Sequence, residues 1–73
     1  MTKWERILDS QTGKTAMTMF ASGNLSCESV QQVFRAGVDR EVSGEVRRLI
    51  RDNGTQYARR LTRKALRRRS LMQ

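Results

Sequence analysis

A chain of 73 residues with one cysteine and no histidine has almost none of the staples on which small folds rely. One cysteine cannot close an intrachain disulfide. A structural zinc site takes three or four cysteine and histidine ligands, and here Cys27 stands alone. Below ~70–80 residues a core by itself rarely supplies more than about 3–5 kcal/mol, so close helix packing or a partner must hold the chain. The 37% of residues that are apolar are enough for one layer of side chains between three or four short helices.

The same absences argue against an enzyme. The commonest general base and metal ligand is missing, and Cys27 has no imidazole to activate it as a nucleophile. A core this small can also build few walls to exclude water. No catalytic residue, cofactor or metal is therefore expected. Unbroken apolar stretches reach only two or three residues, far short of the ~20 that span a bilayer, and residues 1–30 lack the apolar core of a signal peptide. With a free cysteine, the expectation is a soluble protein of a reducing compartment.

Proline is absent, so nothing forbids helix, and the apolar spacing is mostly helical. Thr2-Lys3-Trp4-Glu5 reads as a capping box, with Trp4, Ile7 and Leu8 following on one face. Residues 9–13 read as turn chemistry. Residues 14–21 form a short helix with Met17, Phe20 and Ala21 together, the weakest pattern in the chain, ending at Gly23-Asn24. Ser26 is an N-cap with Leu25 and Val30 as its hydrophobic staple. Val30, Val33 and Phe34 then make a buried stripe, and Gly37 is placed as a left-handed C-cap. Val38, Val42, Val46, Leu49 and Ile50 mark a further helix, capped by Asp39 and stopped at Asn53-Gly54. Gly44 weakens it by about 1 kcal/mol relative to alanine. Thr55 caps a last helix to about Ser70, with Tyr57, Ala58, Leu61 and Ala65 as its apolar strip. The expected fold is all-α: one small domain of three to four short helices with a cationic C-terminal helix. A near-neutral body over 1–54 would carry a basic helix or arm over 55–73, frayed in the absence of a partner.

Charge is distributed unevenly. Residues 1–46 hold five basic and six acidic groups, net −1, whereas residues 47–73 hold ten basic groups against Asp52 alone, net +9. Nine of those ten are arginine, the side chain suited to bidentate contacts with phosphate or carboxylate. Arg59, Arg63 and Arg67 follow one helical row and Arg60, Lys64 and Arg68 the next, with Arg69 completing a ribbon opposite Ala58, Leu61 and Ala65. Like charges at i,i+4 disfavour an isolated helix by a few tenths of a kcal/mol per pair. No carboxylate follows Asp52 to offset them. These seven cations are the candidate contacts for nucleic acid or an acidic partner, with Arg47, Arg48 and Arg51 as a secondary basic group.

Two motifs have plainer readings. Gly13-Lys14-Thr15 resembles the end of a phosphate-binding loop, but that loop needs a glycine at position 8, which is leucine, and a preceding strand. Residues 27–51 have the layout of a helix-turn-helix. Val33 occupies a place that usually takes a small residue, however, Ser43 one that takes an apolar residue, and Glu41 and Glu45 would face phosphate. A plain helical hairpin describes the segment better. The few aromatic residues are scattered, which disfavours a stacking platform for single strands. Phe20 and Phe34 are assigned to the core, Cys27 is read as a small helix filler, and Trp4 either packs back or anchors a partner.

In size, charge and lack of catalytic residues, and in the basic run Arg59-Arg60-Leu61-Thr62-Arg63-Lys64, the chain resembles small bacteriophage-encoded RNA-polymerase-binding transcription regulators of the Xanthomonas phage type. The resemblance implies a non-enzymatic protein in the cytoplasm of a bacterial host that binds RNA polymerase and alters initiation or termination. The residues themselves leave a second reading open, direct binding of DNA or RNA through the C-terminal arginines, and a third, a small packaging protein that neutralises phosphate. A membrane partner is not expected. A core this small also makes a homodimer an open possibility.

Overall fold

The capping box at Thr2 opens the first of five helices in the computed structural model, which describes residues 2–37 and 40–71. Glu5 N–H donates to Thr2 Oγ1 at 3.2 Å and Thr2 N–H to Glu5 Oε2 at 3.4 Å. The helices are α1 (Lys3–Asp9), α2 (Gln11–Ala21), α3 (Cys27–Gly37), α4 (Arg40–Asn53) and α5 (Thr55–Leu71). The all-α class holds, and among the described residues there is no strand; five helices replace the expected three to four.

The additional helix comes from the segment read as a turn. Ser10 alone separates α1 from α2, in extended backbone at φ −86° and ψ 151°, and its Oγ accepts the Gly13 N–H at 3.0 Å. One side chain thus caps α2 where several turn residues were expected. Gly13 makes so sharp a junction possible: a Cβ there would lie 2.5 Å from the Ile7 carbonyl oxygen and 3.3 Å from the Phe34 ring.

The C-terminus of α2 closes as a Schellman motif. Asn24 N–H donates to Met19 O at 2.9 Å and Gly23 N–H to Phe20 O at 3.1 Å, with Gly23 at φ +87°. Gly54, at φ +79°, ends α4 in the same left-handed region, and its carbonyl accepts the Ala58 N–H at 2.9 Å to open α5. Thr55 is therefore already helical rather than the cap, and its hydroxyl meets Cys27 Sγ at 3.0 Å, joining the starts of α3 and α5. Gly37 closes α3 without a positive φ, contrary to its expected role. The expected parts of Val38 and Asp39 lie outside the described residues.

α2 and α4 organise the packing, since each contacts α1, α3 and α5. Ile7, Met17, Phe20, Val30, Phe34, Val46 and Ala58 are wholly buried between them, so every helix supplies at least one core residue. The apolar positions assigned from spacing at Ile7, Leu8, Met17, Phe20, Ala21, Val30, Phe34, Val42, Val46 and Leu49 are all buried. α5 departs from its expected strip. Tyr57 is half exposed, and the buried face is carried by Ala58 and Thr62. Ala58 lets the helix approach closely. Thr62 can be buried because its hydroxyl donates to Ala58 O at 2.7 Å, leaving no unmet donor. The basic helix is built into the core on α2 and α4 rather than standing off as an arm.

Candidate binding surface on the basic helix

The seven cations of α5 share one helix but point in different directions, because 100° per residue carries them around its circumference. Arg59 and Arg63 turn toward the C-terminus of α2. Arg59 Nε donates to Phe20 O at 3.0 Å and its Nη2 to Leu25 O at 3.3 Å, while Arg63 Nη1 donates to Ala21 O at 2.7 Å. The last carbonyls of a helix lack intrahelical partners and carry the negative end of its dipole, so two guanidinium groups are well placed there. The Arg59 guanidinium also lies 5.2 Å from the centroid of the Phe20 ring, at cation–π distance.

Arg60 and Arg67 face outward, and Lys64 and Arg68 are likewise exposed. Among the described residues none of the seven forms an ion pair. Arg69 is half-buried, and its Nε is enclosed without a hydrogen-bond partner among the described residues. The continuous ribbon expected from the sequence thus divides. Two members brace α2, Arg60 and Arg67 face outward, and Lys64, Arg68 and Arg69 line the side of α5 toward α1.

The secondary arginines sit on α4 and are more fully paired. Arg48 Nη2 lies 3.0 Å from Glu45 Oε1 and Arg51 Nε 3.1 Å from Asp52 Oδ1, whereas Arg47 is exposed with no ion pair among the described residues. Glu41 and Glu45, the carboxylates that counted against a phosphate-facing α4, are engaged from α1. Arg6 reaches Glu41 Oε2 at 3.5 Å and Glu45 Oε1 at 3.7 Å.

Beside the free cations lies a feature that the charge pattern does not announce. An open groove of about 670 Å³ runs between α1 and α5, floored by Trp4, Leu8, Leu61 and Ala65 and edged by Thr2, Glu5, Lys64, Arg68 and Arg69. α2 and α4 hold the two helices, which make little direct contact with each other. Trp4 is half-buried in this wall, with the Lys3 ammonium 5.9 Å from its ring centroid. The sequence signal for the groove was Trp4 itself, an aromatic residue on a helix too short to bury it.

Gly13-Lys14-Thr15 lies inside α2 with no strand before it, so it forms no phosphate cradle. Among the described residues no three His, Cys, Asp or Glu side chains gather where they could hold a metal ion, and no helix is long and apolar enough to cross a membrane. Compared with known proteins, the chain matches no family model, no curated protein and no solved structure.

Proposed function

We propose that this chain is a non-enzymatic transcription regulator that docks on bacterial RNA polymerase through α5 and changes the polymerase's contacts with other factors or with nucleic acid. The partner's identity rests on the resemblance of the chain to small phage regulators. The observation that carries a protein partner is the adjacency of free cations and an apolar groove on α5. Binding along a phosphate backbone needs only the cations. Trp4 and Leu61, side by side with Lys64 and Arg68, form a mixed surface suited to an acidic protein.

Direct binding of DNA or RNA is the second reading, favoured by Arg60 and Arg67, which are exposed and unpaired on the outward side of the helix. A pull-down from nuclease-treated bacterial lysate at near-physiological salt separates the two. Recovery of the large polymerase subunits supports the first reading. Loss of every specific protein after nuclease treatment moves the assignment to nucleic acid.

A further inference from the structure

We infer that the groove between α1 and α5 receives the apolar side of an acidic amphipathic helix presented by the partner. This inference rests on the proposed reading only in taking the partner to be a protein. The groove volume of about 670 Å³ lies within the ~300–1,000 Å³ range of clefts that bury ligands. Its floor is apolar, and Trp4 supplies the large rigid ring that commonly anchors an interface.

The rim specifies the charge of the occupant. Lys64 and Arg68 are four residues apart along the α5 edge, ~6 Å of rise, and Arg69 adds a guanidinium whose enclosed Nε has no hydrogen-bond partner among the described residues. On the opposite edge the only carboxylate among the described residues is Glu5, already accepting the Thr2 N–H in the capping box. An apolar stripe flanked by carboxylates at helical spacing satisfies floor and rim together, the helix-in-groove mode of recognition. A phosphate backbone would leave Trp4 and Leu61 uncovered. A second copy of this chain would bring a rim of the same sign, on a molecule of net charge +8, against the first.

The test uses the full chain and a displayed library of helical peptides that contain no tryptophan. Trp4 is the only tryptophan in the protein, so its emission reports directly on the groove. The expected result is enrichment of amphipathic peptides with glutamate or aspartate flanking the apolar stripe. Synthetic versions should shift Trp4 emission to the blue and move amide resonances around Leu61 and Ala65. K64E/R68E, two exposed positions, should weaken binding at least tenfold with an unchanged melting temperature, and Ala65→Phe, which fills the groove, should do the same.

Enrichment of neutral or basic peptides, resonance changes confined to other surfaces, or undiminished binding by K64E/R68E would overturn the inference. So would decanoate occupying the groove while no peptide is enriched, or a Trp4 shift produced by raising the protein concentration alone. Because polymerase is absent from the selection, the two proposals fail separately. An acidic peptide in the groove without polymerase capture removes the polymerase and keeps the groove. Polymerase capture that survives both K64E/R68E and Ala65→Phe does the reverse.

Discussion

Arg59 donates from Nε to the carbonyl oxygen of Phe20 at 3.0 Å while its guanidinium lies 5.2 Å from the centroid of the same residue's ring. One side chain of the basic helix therefore caps the C-terminus of α2 and covers one of the two buried phenylalanines of the core. Charge density on α5 serves the fold as well as any partner.

Replacing Arg59 with alanine leaves the Phe20 and Leu25 carbonyls without their cationic donor. Hydrogen bonds to charged groups contribute about 1.5–3 kcal/mol, and in a domain of this size 1 kcal/mol corresponds to ~4–8 °C. Thermal unfolding of Arg59→Ala should accordingly show a midpoint lowered by roughly 10 °C. Arg59→Lys should recover less than half of that, because a single ammonium lacks the fork that reaches two carbonyls. A midpoint for Arg59→Ala within about 2 °C of the parent would mean that the contact contributes nothing.

Two glycine-to-alanine substitutions should act in opposite directions although both lie inside helices. At Gly13 a Cβ would meet the Ile7 carbonyl oxygen at 2.5 Å, so the backbone at the α1–α2 junction must move; overpacking of this kind costs about 1–3 kcal/mol. At Gly44 nothing lies within 4 Å of the new Cβ, and alanine should stabilise α4 by about 0.5–1 kcal/mol. Urea unfolding of both variants measures the difference directly. Equal effects of the two would mean that the close approach at Gly13 carries no strain.

Features set by residues close in the chain are legible in the sequence, and those set by long-range packing are not. The Thr2 capping box, the Ser26 cap, whose Oγ accepts the Ser29 N–H at 3.1 Å, and the stops at Gly23 and Gly54 each depend on residues close in the chain. The 3.6-residue period likewise locates the core of α3 and α4, except that Val33, expected in the α3 stripe, is only half-buried. At Gly13, composition pointed to a turn, since a glycine required by close helix approach looks the same as one required by a turn. Tyr57 fits the buried strip by its chemistry and Thr62 does not, because nothing local shows that the Thr62 hydroxyl is satisfied by Ala58 O. The division of the arginines follows from tertiary packing. Arg59 and Phe20 are brought together only when α5 packs on α2.

Thr62 itself gives a third test. Its hydroxyl is wholly buried and bonded only to the carbonyl one turn earlier in its own helix. Valine keeps the shape and removes the donor, and Ala58 O keeps its place in the helical ladder, so no buried polar group is orphaned. The melting midpoint of Thr62→Val should stay level or rise. A fall of more than about 1 kcal/mol in a small domain would mean that the hydroxyl has a partner beyond its own helix.

The last prediction turns the division of the arginines into a measurement on a polyanion. Arg60 and Arg67 are exposed and unpaired, whereas Arg63 donates to Ala21 O. Exposed substitutions away from caps and buried contacts usually change stability by less than about 0.5 kcal/mol, so R60A/R67A should unfold at the parental temperature. It should also elute from immobilised heparin at clearly lower salt than the parent, because both lost charges face outward. Arg63→Ala removes one cation from α5 and one bond from the α2 terminus, and should lower elution salt and melting temperature together. If nucleic acid is the physiological partner, each phosphate contact adds about −0.9 to the slope of log affinity against log salt for duplex DNA, and R60A/R67A should flatten that slope by about 1.8. Unchanged heparin elution of R60A/R67A would remove the outward face of α5 from the binding surface and leave the groove rim at Lys64 and Arg68 as the charged contact.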